Sequence, residues 1–154
     1  MHEAELWWGA CLQAMESIFG PADNSVLRSP VPFDAGFEAG GRANVLAFRK
    51  TLSGVAYATC ELIGRDDQVH TPLGNYELVI CHRQDDSWGP NLISSLAYYT
   101  LQASLNPGET MSLPPEWVGD GTVKALLFLE LTRMTVRNRQ CGLLVCRACS
   151  TTWR

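Results

Sequence analysis

The chain has 154 residues and a formal net charge of −4, and 46% of its residues are hydrophobic while 18% are charged. This length and composition are typical of one globular domain with a sizeable core. Because no basic stripe runs along the chain, nucleic acid is not an expected partner. No apolar run approaches the ~18 residues of a membrane-spanning helix, so no membrane partner is expected either.

The N-terminal residues do not resemble a secretory signal. The stretch MHEAELWWGACLQAMESIFG has acids where a signal peptide needs Lys or Arg, and Trp7, Trp8 and Glu16 interrupt any apolar segment. The predicted location is therefore the cytoplasm. Cys11, Cys60 and Cys81 stand alone in apolar surroundings, which favours reduced, buried thiols in such a compartment.

The first predicted element is a helix over residues 3–19. Trp7, Cys11, Met15 and Ile18 recur at helical spacing and form one apolar stripe. Gly20 and Pro21 end the helix. Residues 21–42 are rich in Pro and Gly and are predicted to form an irregular loop. We expect Phe33 and Phe37 to anchor that loop to the core.

From residue 44 the pattern changes to strands. The segments VLAFRKTL and VAYATCELIG are rich in Val, Tyr, Thr and Ile, and Ser53-Gly54 between them predicts a hairpin. After the polar break GRDDQVHTPLGN comes YELVICHR, a third strand. In that strand Tyr76, Leu78 and Ile80 make one fully apolar face.

The stretch HRQDDSWGPN, residues 82–91, lies between this strand and a predicted helix at about 90–104. Asp85, Asp86 and Ser87 suit the start of a helix, where acids complement the helix dipole. Trp88 is predicted to cover the end of the core, with Gly89 giving it room and Pro90 fixing the first turn. The helix stripe Leu92, Leu96, Tyr99 and Ala103 is predicted to face the core.

The rest of the chain predicts a long loop over 106–122, with a short edge strand around 111–113, and then a buried strand KALLFLEL at 124–131. Residues 132–154 differ from everything before them. They contain five Arg, no acidic residue, and the spacing C-x4-C-x2-C formed by Cys141, Cys146 and Cys149. That spacing matches only part of an iron–sulfur or zinc motif, so no metal or other cofactor is predicted.

Catalytic constellations are weak in this sequence. Cys81 and His82 are neighbours on a strand and point to opposite faces, so they cannot form a nucleophile–base pair. No glycine-rich phosphate loop and no G-x-S-x-G or H-E-x-x-H motif occurs. A small hydrolase using Asp85, Asp86 and His82 remains the alternative to a binding protein.

The succession GNYELVICHRQDDSWGPNLISSLAYYTLQASLNPGETMSLP resembles the suppressor-of-fused domain. The shared features are the Tyr-Glu-Leu strand (76–78) followed by an Arg, the Trp-Gly-Pro turn (88–90), the Leu-Ala-Tyr-Tyr helix (96–99), Gly108-Glu109, and the buried strand 125–131. The resemblance is firm over about 74–131 and fainter over 1–73. Residues 132–154 do not match the acidic, apolar-patterned sequence with which family members usually continue.

The resemblance implies protein binding without catalysis. Animal members of the family sequester a transcription factor by clamping a short peptide strand, and stand-alone bacterial members look like immunity proteins of polymorphic toxin systems. Carried over by position, the residues facing the peptide would be Tyr99 and Glu109. From the residues themselves, Tyr99 has the alternative reading of core packing and Glu109 that of a solvated loop acid.

The combined prediction is an α+β fold with a mixed, largely antiparallel sheet, on which an N-terminal helix and a helix at about 90–104 pack. Residues 1–131 would form the suppressor-of-fused-like domain, and residues 132–154 an atypical basic, Cys-rich segment. The predicted function is non-enzymatic binding of a protein partner, such as a basic toxin. An exposed sheet edge and the acidic loops at 65–67, 85–86 and 109–120 would capture it.

Overall fold

The computed structural model describes residues 3–24, 26–50, 53–84, 87–114 and 123–149. The helices in these ranges are α1 (Glu3–Phe19) and α2 (Trp88–Tyr99), and Phe33–Ala35 adds one turn of 3-10 helix. The strands are β1 (Val45–Phe48), β2 (Val55–Thr59), β3 (Asn75–His82), β4 (Thr110–Ser112), β5 (Ala125–Val136) and β6 (Arg139–Cys149). None of the helices in these ranges is long and apolar enough to cross a bilayer.

The strands form one six-stranded sheet in the order β1-β2-β3-β6-β5-β4. Only β3 and β6 run parallel, and the other neighbouring strands are antiparallel. The predicted α+β class, with a mixed and largely antiparallel sheet, is thereby confirmed. The predicted strands at 44–63, 76–83, 111–113 and 124–131 all correspond to strands of the sheet.

The sheet is covered on both faces, which produces two cores. On one face, Cys11 and Met15 of α1 pack with residues such as Phe48, Val79 and Leu143. On the other face, Leu92, Ile93 and Leu96 of α2 pack with residues such as Tyr57, Leu78 and Leu144. Neighbouring positions of one strand, such as Val79 and Leu78, therefore belong to different cores because strand side chains alternate between faces.

Helix α1 has the predicted bounds, but its buried stripe ends differently from the prediction. Ile18 is 39% exposed, whereas Phe19 is buried and packs against Phe48 with ring centroids 5.0 Å apart. The steps from Cys11 to Met15 to Phe19 are of four residues each, and this spacing keeps the three side chains on one face of the helix. In the loop that follows, Phe33 is buried as predicted, but Phe37 is 47% exposed.

Helix α2 begins two residues before the predicted start and ends five residues before the predicted end. After Tyr99 the chain continues in i→i+3 turns, in which the amides of Thr100, Leu101 and Gln102 donate to carbonyls three residues earlier. The Thr100 hydroxyl also donates to the Ala97 carbonyl at 2.7 Å, which competes with regular helical bonding. The chain therefore leaves α2 through a tightened turn.

The C-terminal segment is part of the sheet in the described range. The boundary expected at residue 131 falls inside β5, and β6 lies between β3 and β5 with Leu143 and Leu144 fully buried. A two-residue turn at Arg137 and Asn138, both with positive φ (48° and 66°), joins the two strands. Residues 132–149 thus supply the last part of β5 and all of β6, which lies inside the sheet.

Candidate partner-binding site

Strand β4 lies at one end of the sheet and offers a backbone edge. Along it, the carbonyl of Glu109 accepts from the Phe128 amide at 2.9 Å, and the Leu113 amide donates to the Lys124 carbonyl at 2.9 Å. Backbone groups alternate in direction along an antiparallel strand, so Thr110 and Ser112 turn their amides and carbonyls away from β5. These two residues present hydrogen-bonding groups to any strand added at this edge.

The opposite edge of the sheet is already occupied. Leu27 forms a two-way backbone bridge with Val45 of β1, with N···O distances of 2.8 and 3.0 Å. The Asp23 amide also donates to the Ala47 carbonyl at 2.8 Å. Among the described residues, therefore, β4 carries the edge that is available for pairing.

A groove of about 950 Å³ lies beside β4. One wall is formed by β4 and the residues after it, a second by the exposed side of α2, and a third by the loop at 35–39. The side chains that line it include Phe37, Tyr98, Tyr99, Gln102, Met111 and Pro114. The groove is thus lined largely by aromatic and apolar groups and is open to solvent.

Tyr99 lines this groove and is 41% exposed. The prediction from helical spacing, which placed Tyr99 on the core-facing stripe, is therefore wrong. Leu92 and Leu96 do face the core, but each further step of three or four residues rotates the stripe around the helix, and the last turn of α2 leaves Tyr99 at its margin. The position that the family resemblance assigned to peptide contact thus carries an exposed aromatic ring.

Glu109 is exposed and shapes the turn that leads into β4. Its carboxylate accepts from the Asn106 amide at 2.8 Å and from the Asn106 side chain at 3.2 Å. Burial, with further repulsion from groups that include Glu109 and Tyr99, raises the pKa of Tyr76 to about 12. The Tyr76 hydroxyl accepts from the Leu105 amide at 3.1 Å, close in sequence to the Asn106 that Glu109 binds.

Tyr98 was not predicted as a site residue, yet it holds the 35–39 loop, the third wall of the groove, against α2. Its ring stacks on Phe33 at 4.1 Å between centroids and meets Phe37 edge-on at 5.7 Å, and its hydroxyl donates to the Phe33 carbonyl. The Arg42 guanidinium lies 4.0 Å from the centre of the Phe37 ring. The two aromatic residues in an otherwise Pro- and Gly-rich loop were the available signal for this contact.

The turn before α2 is built from aromatic packing. Trp88, at the first position of α2, is partly buried against the α2-side core, and its ring centroid lies 4.8 Å from that of His82. The Tyr57 ring meets His82 at 5.8 Å. Gly89 is buried, and a Cβ there would clash with the His82 imidazole, whereas Pro90 is buried in the first helical turn.

Asp85 and Asp86 lie outside the described residues, so the structure does not place the acids assigned to partner binding or to the alternative hydrolase. His82, the third residue of that alternative, is half-buried between Tyr57 and Trp88. These ring contacts hold the imidazole in the packing around the start of α2. His70, in the polar loop after β2, is exposed.

Asp66 of the first acidic loop and Ser87, the described residue that follows the 85–86 pair, lie far apart. Asp66 lies 3.9 Å from Arg139 at the start of β6, while Ser87, next to the 85–86 pair in sequence, lies at the start of α2. These places are at opposite ends of the eight-residue β3, which spans roughly 23 Å. In the first acidic loop, Arg65 forms ion pairs with Asp67 of the same loop and with Asp34 of the 3-10 turn, at 2.9 Å each. These pairs neutralise part of the negative charge of the loop.

The C-terminal cysteines are divided between the two cores. Cys141 belongs to the core under α1 and Cys146 to the core under α2, so they point to opposite faces of β6. Burial raises the pKa of the Cys141 thiol to about 11 and that of Cys146 well above its ordinary range. In the part of the chain that the structure describes, no three His, Cys, Asp or Glu side chains are arranged to hold a metal ion. Cys81, expected to be buried, is exposed at the second-last position of β3.

Among buried groups, Glu77 is the most unusual. It is fully buried in β3, and its carboxylate accepts from the Thr59 hydroxyl at 2.8 Å and from the amides of Leu62 and Ile63 at 2.9 and 2.7 Å. Burial raises its pKa to about 7 despite these hydrogen bonds. The side chain accepts hydrogen bonds from the backbone amides of the turn after β2, and it does not line the groove beside β4.

The chain was compared with protein-family models and with curated proteins. No protein-family model matches the chain, and no curated protein matches it significantly.

Proposed function

We propose that the chain is a non-enzymatic protein-binding module that captures an extended segment of a partner protein at the β4 edge. The observation that carries the proposal is the placement of this edge directly beside the groove lined by Tyr99. An added strand would bond to the backbone of Thr110 and Ser112, and every second side chain would enter the groove. This combination is the physical basis of recognition by strand addition.

The composition of the groove supports a peptide as the occupant. Phe37 and Tyr99 are 47% and 41% exposed and lie in the same groove with Tyr98 and Met111. Aromatic residues and Met are enriched at protein interfaces because they supply a large contact area at a small cost in conformational entropy. An extended segment with apolar or aromatic residues at alternate positions fits this surface.

Charge supports a partner that is basic around the bound segment. The chain has a net charge of −4, and the exposed acids Glu38 and Glu109 lie in the groove and at the start of its β4 wall. Such acids would speed the encounter with Lys- or Arg-flanked segments and would make it sensitive to salt. An immunity-type protein that sequesters a basic toxin is the biological role we propose for this chemistry.

The test combines a partner experiment with two variants of one residue. The chain would be co-expressed with the products of neighbouring open reading frames, and a phage-displayed peptide library would be selected against it. In Thr110→Pro the outward amide is lost at an edge position that tolerates Pro, while Thr110→Ala keeps the amide. We expect Thr110→Pro to weaken binding by about tenfold or more. The variant loses the backbone hydrogen bond that residue 110 would donate to the added strand, and the proline ring also hinders the approach of that strand.

Tyr99→Ala should weaken the same partners by a comparable factor, because truncating an interface aromatic commonly costs ~1–4 kcal/mol. Thr110→Ala serves as the matched control and should stay within about threefold of the original affinity. Equal affinity of the Pro and Ala variants for every selected partner would contradict binding through the β4 edge. Turnover of a compound that is lost on replacing His82 would contradict a non-enzymatic role.

A further inference from the structure

A second cavity, of about 580 Å³, opens beside the start of α2. Its walls come from the segment 27–30, from the residues around β1, and from the first two turns of α2. Ser95 lines both this cavity and the groove beside β4, but the remaining lining residues differ. The peptide-binding role does not use this cavity.

The described charged residues that line the cavity are all basic, whereas the whole chain is acidic. Arg28, Arg42 and Arg49 line it, and no Asp or Glu lines it among the described residues. The sequence has 12 Lys and Arg against 16 Asp and Glu, so three arginines at one cavity are a local reversal of charge. Asp85 and Asp86, which precede the lining residue Ser87 in sequence, are outside the described part of the chain.

The three guanidinium groups differ in what they already bind. Arg49 forms an ion pair with Asp23, and Arg42 donates to the carbonyls of Gly41 and Phe37 at 2.7 and 3.3 Å. Arg28 is exposed and makes no hydrogen bond or ion pair with any other described residue. Arg28 therefore keeps its full set of donors, and Arg42 has donors beyond the two carbonyls that it contacts.

The remaining walls suit an organic molecule that carries an anionic group. Ser87 and Asn91 add polar groups to the cavity wall at the first turn of α2. Leu27, Val45 and Pro90 supply apolar surface beside them. The volume lies within the ~300–1,000 Å³ of small-molecule sites.

We propose that this cavity binds the phosphate group of a small phosphorylated molecule, with Arg28 and Arg42 as the principal anion-binding residues. The planar, always charged guanidinium matches two oxygens of a phosphate at once. A doubly charged phosphate gains more than a carboxylate from several cations on one wall. The apolar part of the cavity would receive the organic portion of the ligand.

Titration calorimetry with ADP and with inorganic pyrophosphate, at matched ionic strength, tests this site. We expect saturable binding of ADP, and weaker binding of pyrophosphate if the organic portion contributes; equal affinities would assign the site to the phosphate groups alone. Arg28→Gln should lower the affinity by about ten- to a hundredfold, the range for a lost charged hydrogen bond. Since Arg28 makes no hydrogen bond or ion pair with another described residue, its replacement should leave the melting temperature nearly unchanged.

Arg147→Gln is the matched control, because Arg147 is exposed on β6 and does not line the cavity. It should leave both affinities within about twofold. Absence of saturable binding of either probe, or an affinity that Arg28→Gln and Arg147→Gln change equally, would overturn the proposal. Peptide binding at the β4 edge should be the same in Arg28→Gln as in the original chain, so this site and the peptide groove can fail independently.

Discussion

Glu77 connects the strand β3 to the turn after β2 through one buried carboxylate. Two backbone amides and one hydroxyl of that turn and of β2 donate to it, and none of its surface reaches solvent. The amides of Leu62 and Ile63 are buried as well, so they depend on this acceptor. The sequence places Glu77 on the third strand but does not show this role, because the turn whose amides it accepts from is brought to it only by the fold.

Removing the Glu77 carboxylate should destabilise the protein strongly. Glu77→Ala leaves two buried amides without an acceptor, at ~1–3 kcal/mol each, so we expect a loss of roughly 3–5 kcal/mol in the free energy of unfolding. Glu77→Gln keeps one oxygen for the amides and should cost less than half as much. Urea unfolding of both variants, with the exposed Glu38→Ala as control, measures the difference. Equal losses for Ala and Gln would show that the hydrogen bonds are not the cause.

The same carboxyl should make stability depend on pH. Its pKa is about 7 in the folded protein and near the ordinary 4.5 when unfolded, so between these values the folded state holds the additional proton. The free energy of unfolding should therefore be highest below about pH 4.5 as far as this group is concerned, and it should fall by up to ~3 kcal/mol as the pH rises through 7. Urea unfolding at about pH 5 and about pH 8 should show this fall reduced in Glu77→Gln. An unchanged fall in that variant would assign the pH dependence to other groups.

At the scale of the elements, the hairpin of β5 and β6 shows where sequence reasoning stops. The apolar start of β5 was predictable as a strand, but its continuation LTRMTV alternates exposed and partly buried residues beyond an irregularity at Glu130–Thr132. The turn is Arg-Asn, without the Gly that usually marks a two-residue hairpin turn. Without that signal, the basic composition of 132–154 dominated the interpretation, and no strand was predicted where β6 lies.

The turn itself offers a direct test of this hairpin. Asn138 has φ of 66°, a conformation that Asn tolerates and β-branched residues strongly disfavour. Asn138→Val should lower the free energy of unfolding by about 1–2 kcal/mol, whereas Asn138→Gly should be neutral or slightly stabilising. Thermal unfolding of the pair measures the effect. A Val variant as stable as the Gly variant would contradict the left-handed conformation at this turn.

At the scale of the whole molecule, strand β6 contributes buried side chains to both cores. Its neighbouring residues Leu143 and Leu144 are fully buried and face opposite layers. The fold class could be predicted from local patterns, because the spacing of apolar residues along each segment indicates a helix or a strand. The candidate site did not follow in this way, because the groove joins α2, β4 and the 35–39 loop, and its Tyr99 wall depends on how α2 turns against the sheet.

Both Leu143→Ala and Leu144→Ala should therefore destabilise the protein, by ~2–5 kcal/mol each, as other buried Leu truncations do. Arg147→Ala, exposed on the same strand, should change the free energy of unfolding by no more than about 0.5 kcal/mol. Chemical denaturation of the three variants gives the comparison. A loss confined to one of the two Leu variants would mean that β6 supports a single layer.

The parallel pairing of β3 with β6 also has a consequence for the order in which the molecule is assembled. Asn75 pairs with Cys141, so the middle of the sheet cannot close until the residues of β6, more than 60 positions after their partners in β3, have been synthesised. Until then one side of β3 exposes unpaired backbone between two apolar faces, a state that invites misfolding and association with other nascent chains. Contacts between such distant parts of a chain form slowly, and newly made copies of this protein should therefore benefit from chaperones that shield hydrophobic strands.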